Sequence, residues 1–252
     1  MHAQKSAILG VSAAIAALVA AVPADAGTNA TSPSATPTVG ELSAAWWQWA
    51  LSIPAGANPL GDGTGELCGV GQHGDVWFLA GTLDGSPANR SCRVPAGTKI
   101  LFPAINAECS VVEDASLQSR AALRSCAKGF MDLVTEATAS VDERTVKVVR
   151  TRSPLFSITL PPGNVLGIEN PTPNPSRAFA DGFWVLLEPL RQGEHSIAAR
   201  GLLVFPDGST FEQELNYAIE IVAPSFDNPA AVPEALVPSG AIPLAVIPAP
   251  GE

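Results

Sequence analysis

Two polar segments carry the side chains best suited to chemistry. A glycine-rich loop holds Gln72, His73 and Asp75, and a second segment holds Asn106 and Glu108 beside a cysteine. A histidine or carboxyl group on a loop that a rigid scaffold holds in place can act as a general acid or base. We therefore predict that His73 and Glu108 are catalytic and that Gln72, Asp75 and Asn106 bind the ligand.

Both polar segments adjoin apolar runs that read as strands. Residues 76–80 follow the glycine-rich loop, and residues 99–102 precede Asn106 and Glu108. If these strands pair as an antiparallel hairpin, the residues before the first and after the second lie at one end of the sheet. We therefore expect one pocket that contains His73, Asn106 and Glu108.

A tryptophan-rich helix is predicted ahead of these segments. Thr38 and Glu41 have the spacing of a capping box, and Pro54 should end the helix. One helical face carries apolar residues at steps of three and four, namely Leu42, Trp46, Trp49 and Ile53. Trp47 falls outside that face, so we predict that it stacks on a sugar ring, together with Trp77 or Trp184.

Export is predicted from the first residues and from the cysteines. Lys5, the apolar run 8–22 and the Ala24-Asp25-Ala26 triplet are typical of a signal peptide covering residues 1–26, in an alanine-rich chain of bacterial character. We expect a secreted protein, extracellular or periplasmic, with no membrane span after cleavage. Its four cysteines should then form local disulfides, Cys68–Cys92 and Cys109–Cys126.

The remaining chain indicates one all-β domain with added helices. Residues 27–37 read as a disordered tether, 38–222 as a single domain and 223–252 as a disordered Pro/Ala-rich tail. A long hairpin is predicted from the alternating residues on both sides of Pro206-Asp207-Gly208-Ser209. With one inserted helix near residues 116–139, the strands favour an antiparallel β-sandwich of immunoglobulin-like or jelly-roll type.

Charge and motifs exclude several function classes. The formal net charge of −10 disfavours nucleic acid and anionic membranes as partners. Only His73 and His195 remain after signal removal, and neither a zinc-protease motif nor a P-loop is present, so we expect no metal and no cofactor. His195 is read as structural. Residues 61–66 alternate like a calcium loop but lack its last glutamate, which favours a plain turn.

Three functions remain open at this point. The leading hypothesis is a module that binds an extracellular polymer, most plausibly a carbohydrate, because the chain is exported and rich in tryptophan. The first alternative is a polysaccharide hydrolase or lyase that uses Glu108 with His73 or Asp75. The second is a structural cell-surface protein without a small ligand.

Overall fold

The computed structural model describes residues 36–223. The predicted signal peptide, nearly all of the tether and the tail beyond residue 223 lie outside these residues. Within them, the chain forms two α-helices and ten strands, with two short 3₁₀ turns after the first helix. The mostly β character predicted from the sequence is confirmed.

Helix α1 (Val39–Ser52) begins and ends where the sequence predicts. The Thr38 hydroxyl accepts a hydrogen bond from the Glu41 amide, and the Glu41 carboxylate accepts one from the Thr38 amide at 2.8 Å. This reciprocal cap satisfies two amides that the first turn leaves free. Trp46 and Trp49 are buried as expected, but Trp47 is also buried, because α1 is covered on most of its surface.

The second helix is shorter than predicted. Helix α2 (Arg120–Met131) starts at the Ser119 cap, and the segment after it forms a strand rather than continuing the helix. A periodic apolar pattern cannot separate a helix from a strand at such a junction, and the β-branched residues Val134, Thr135 and Thr138 favour the strand. The buried face of α2 is therefore Leu123, Ala127 and Met131, which leaves Phe130 exposed.

The strands form two sheets of five. Sheet 1 contains β1 (Val76–Phe78), β3 (Lys99–Ser110), β8 (Ser176–Leu187) and β6 (Val149–Arg152) in that order, and β7 (Phe156–Ile158) also pairs with β8. Sheet 2 has the order β2 (Ala88–Pro95), β10 (Thr210–Val222), β9 (Gly193–Val204), β4 (Val134–Val141) and β5 (Arg144–Thr145).

Strand orientation corrects the antiparallel prediction. β1 runs parallel to β3, and β2 runs parallel to β10, while the other pairs are antiparallel. The sheets are therefore mixed, and an immunoglobulin-like or jelly-roll class stays a prediction. The hairpin of β9 and β10 is confirmed, with the Asp207 carboxylate accepting from the Ser209 amide and Gly208 at a φ of 87° in its turn.

Both faces of sheet 1 carry buried apolar side chains. One face packs on sheet 2 through residues such as Phe102, Val185 and Tyr217. The opposite face packs on α1, with Leu101 and Trp184 in contact with the helix core. The two predicted disulfides are confirmed, since Cys68 is bonded to Cys92 and Cys109 to Cys126.

Neither α1 nor α2 is long and apolar enough to cross a membrane, and residues 36–223 hold no other helix that is. The two disulfides fit a protein that folds outside the reducing cytoplasm.

Candidate functional site

The predicted pocket of His73, Asn106 and Glu108 is not formed. Since β1 and β3 are parallel, Val76 lies opposite Lys99, and His73 precedes Val76. Glu108 lies nine residues after Lys99 along β3, a distance of about 30 Å in an extended strand. The loop before β1 and the Glu108 segment therefore lie at opposite ends of sheet 1.

The side chains of the glycine-rich loop have structural contacts. The Gln72 amide donates to the carbonyls of Cys68 and Phe78, at 2.9 and 2.7 Å, and accepts from the Phe78 amide at 2.9 Å. It thereby completes the hydrogen bonding of β1 and is not free for a ligand. His73 is exposed, with Nδ1 3.0 Å from the Gly71 carbonyl, and Asp75 is exposed. A turn-capping role accounts for this loop.

The other end of β3 has a free edge. β1 pairs only with Lys99–Leu101 of β3. Further along this edge, the side-chain amide of the buried Gln213 donates a hydrogen bond to the Ala104 carbonyl at 2.8 Å. Beyond that point a cleft of about 240 Å³ opens between α1 and α2. We call it the edge cleft; its lining residues are Trp47, Leu51, Leu83, Ala107, Glu108, Glu113, Phe130 and Leu166.

The edge cleft has apolar walls and an exposed rim. Three large hydrophobic side chains are exposed among residues 36–223, and two of them, Leu83 and Phe130, belong to this cleft. The third, Val149, lies on β6. Apolar walls with a few polar groups are typical of sites for small ligands, and this volume suits one ring-sized unit.

Two buried polar atoms without a hydrogen-bond partner belong to residues that line the edge cleft. In the described chain, six buried side-chain atoms lack a hydrogen-bond partner: Nε1 of Trp47, Trp77 and Trp184, Oγ1 of Thr82, Nδ2 of Asn106 and Oε1 of Glu108. Trp47, only 7% exposed, and Glu108 both line the cleft. Each buried unpaired atom costs about 1–3 kcal/mol, so a ligand that bonded to them would recover part of this.

Two further unpaired donors, on Asn106 and Trp184, lie on the same face of sheet 1 as Glu108. Asn106 lies opposite Gly182 and Glu108 opposite Ala180, so both share the α1 face of the sheet with Trp184. A methyl group built on Gly182 would lie 2.6 Å from the Trp184 indole nitrogen and 2.7 Å from Asn106 Cβ. The two unpaired donors are therefore neighbours, and only glycine fits between them.

Glu108 and Glu113 form a carboxyl pair in which burial favours the protonated form of Glu108. Burial raises the pKa of Glu108 well above its usual range, and the charge of Glu113 and a hydrogen bond to it raise it further. Two carboxyl groups can share a hydrogen bond only when one is protonated. The Ser110 hydroxyl donates to Glu113 at 2.6 Å, and a hydrogen bond from Ser110 to Glu108 lowers the Glu108 pKa without offsetting the effect of burial.

We expect Glu108→Gln to flatten the dependence of stability on pH. The folded state holds the Glu108 proton more tightly than the unfolded chain does. Protonated Glu108 therefore contributes fully to the free energy of unfolding below the ordinary pKa, and this contribution is lost as pH rises through the folded-state pKa. The loss can reach about 1.4 kcal/mol per pH unit. Glutamine mimics the protonated acid, so urea unfolding should show equal stability at pH 4 and a more stable variant at pH 8.

The control is Glu66→Gln, the same change at an exposed carboxylate. Its pH profile should follow that of the wild type. If the Glu108→Gln profile also runs parallel to the wild type, Glu108 does not retain the proton and the assigned pair is wrong.

A larger concavity of about 1000 Å³ lies on the outer face of sheet 2. His195, which lines it, has Nδ1 2.8 Å from the Asp142 carboxylate and Nε2 2.9 Å from the Arg191 carbonyl. The bond to Asp142 raises the pKa of His195, and both ring nitrogens face acceptors, an arrangement that favours the protonated ring. This agrees with the structural role predicted for His195.

Residues 36–223 contain no group of three or more His, Cys, Asp or Glu side chains placed to hold a metal ion. The candidate calcium loop shows why: the Asp62 carboxylate accepts from the amides of Thr64 and Leu67 at 2.8 Å each. Those bonds stabilise a turn.

Of the eight residues that line the edge cleft, the sequence predicts only Trp47 and Glu108 as site residues. Glu113 reaches Glu108 only because the chain turns back after β3, and no local pattern marks that turn as part of a site. Phe130 falls in the predicted helix near residues 116–139, but the helix ends at Met131 and its buried face leaves Phe130 exposed. Trp47 was singled out correctly as off the helix stripe, but it is a buried wall residue rather than an exposed platform.

The chain matches no family model, and neither a curated protein nor a solved structure is significantly similar to it.

Proposed function

We propose that the protein is secreted and binds an extracellular carbohydrate polymer, with the edge cleft holding one sugar unit. The observation that carries this proposal is the unpaired Trp47 indole N–H and Glu108 carboxyl oxygen in one apolar cleft. A sugar ring has an apolar face and hydroxyl groups at its edge. The apolar part of the sugar unit would pack on Phe130 and Leu83, while polar groups at its edge would pair with Trp47 and Glu108.

The hydrolase or lyase alternative has less support. This alternative needs His73 or Asp75 to act together with Glu108. Both residues belong to the far end of sheet 1 from Glu108. Glu113 lies beside Glu108 and raises its pKa, whereas glycosidases place two carboxyl groups about 5–10 Å apart on opposite sides of the scissile bond. A purely structural surface protein would give no reason for unpaired polar atoms beside a cleft.

A panel of extracellular polysaccharides tests the proposal. We expect the mature protein to be retained by at least one of them without product release. Trp47→Phe removes the indole N–H and should weaken binding about two- to tenfold, the range for one lost hydrogen bond. Phe130→Ala should weaken it similarly by removing the apolar wall.

The matched control is Val149→Ala, which truncates the exposed hydrophobic residue outside the edge cleft. It should bind as the wild type does. The proposal is wrong if no polysaccharide retains the protein, or if the retained one is bound equally well by both cleft variants with unchanged folding.

A further inference from the structure

The unpaired atoms beside the edge cleft comprise both donors and an acceptor. Trp47 offers an indole N–H that can only donate, and the Asn106 amide and Trp184 indole leave further N–H groups unpaired on the same face of sheet 1. The acceptors are the unpaired Glu108 oxygen and the Glu113 carboxylate. A complementary ligand therefore needs an acceptor for the Trp47 N–H and a donor for the Glu108 oxygen.

We propose that the edge cleft recognises the acetamido group of an N-acetylated amino sugar, an inference that rests on the proposed carbohydrate binding. The acetamido carbonyl accepts from the Trp47 indole N–H. Its N–H donates to the carboxyl pair of Glu108 and Glu113. Its methyl group contacts the apolar wall formed by Leu83 and Phe130.

Other sugar substituents fit this arrangement less well. A hydroxyl group presents its donor and acceptor on one atom and fills none of the apolar volume. The ammonium group of an unacetylated amino sugar would pair with the Glu113 carboxylate, yet it has no acceptor for Trp47 and would bring a charge into an apolar cleft. An acidic sugar would bring a negative charge into an apolar cleft and place it beside two carboxyl groups, which disfavours it.

The mouth of the edge cleft permits entry. The Trp47 and Glu108 atoms are closed off from solvent, and the side chains of Leu83 and Phe130 are 41% and 42% exposed. Side chains with so much exposed surface lose little packing when they rotate. The ligand enters by displacing these two side chains and then contacts both of them as its walls.

The test compares three trisaccharides of the same length by calorimetry and tryptophan fluorescence: N-acetylglucosamine, glucosamine and glucose oligomers. We expect the acetylated trimer to bind at least about tenfold more tightly than either of the others. Trp47→Phe should remove most of that preference, while Val149→Ala should leave it intact. Thermal unfolding of each variant verifies that it is folded.

The outcomes separate this inference from the proposed function. Equal binding of the acetylated and glucose trimers overturns acetamido recognition but leaves carbohydrate binding in place. Tighter binding of the glucosamine trimer overturns it in favour of a cation held by the carboxyl pair. Binding of none of the three, together with a failed polysaccharide panel, overturns both proposals. A preference that survives Trp47→Phe in the folded variant places the acetamido group elsewhere.

Discussion

Arg90→Met is expected to lower the free energy of unfolding by roughly 3–5 kcal/mol, a large loss for one residue. Arg90 is 3% exposed at a core-facing position of β2. Among the described residues no carboxylate forms an ion pair with it, so its bonds to oxygen atoms must offset the cost of burying the charge. Methionine fills much of the same space and makes none of those bonds.

The bonds of Arg90 connect three parts of the chain. Nε donates to the Asp62 carbonyl at 2.5 Å, and Nη1 donates to the carbonyls of Ala80 and Gly81 at 2.7 and 3.1 Å. Nη1 is also 2.7 Å from the Tyr217 hydroxyl, which itself donates to Ala80 at 2.8 Å. The methionine variant would leave these buried acceptors unpaired, which is why the expected loss exceeds that of a single hydrogen bond.

Two further variants isolate this effect in urea unfolding. Arg90→Lys keeps the charge but has fewer donors in a different geometry, so it should recover only part of the lost stability. Arg93→Met is made on the same strand at an exposed site, where the ion pair with Glu220 is mostly solvated. It should change stability by less than about 1 kcal/mol. Similar small losses in Arg90→Met and Arg93→Met would refute the stabilising role of the network.

Arg90 also explains why part of the topology could not be predicted. β2 alternates inward and outward residues, but an arginine occupies one inward position, so the segment reads as polar and its sequence does not predict a strand. Without β2, residues 76–78 and 99–101 look like neighbours in a hairpin. In the structure, β2 crosses to sheet 2 and the chain then returns, which makes β1 and β3 parallel.

Features that depend on nearby residues were predicted well. The cap of α1, the β9–β10 hairpin and both disulfides follow from local spacing or from short loop closure. The edge cleft could not be predicted in this way. It forms only where β3 extends beyond its pairing with β1 and where α1 and α2 approach from opposite faces of sheet 1. Glu108 could be singled out as a carboxyl group at a strand end, but its partner Glu113 depends on how the chain turns after β3.

The second large effect is expected at the centre of the α1 interface. Trp46 is 1% exposed, and its ring lies 5.0 Å from Trp47, 5.9 Å from Trp49 and 5.5 Å from Trp184, in edge-to-face geometry. Its indole N–H donates to the Leu79 carbonyl at 2.9 Å, which ties α1 to the chain just after β1. Removing this ring therefore removes packing, ring–ring contacts and a buried hydrogen bond together.

Trp46→Ala should accordingly cost about 3–5 kcal/mol in chemical unfolding. Trp46→Phe retains a ring and loses the hydrogen bond, so we expect a smaller loss of roughly 1–2 kcal/mol. Gln48→Ala serves as the control, because Gln48 is exposed on the same helix and should change stability by less than about 1 kcal/mol. Since Trp46 contacts Trp47, the alanine variant should also distort the wall of the edge cleft and weaken the proposed carbohydrate binding. A Trp46→Ala protein as stable as Gln48→Ala would mean that α1 is not packed on sheet 1 through these rings.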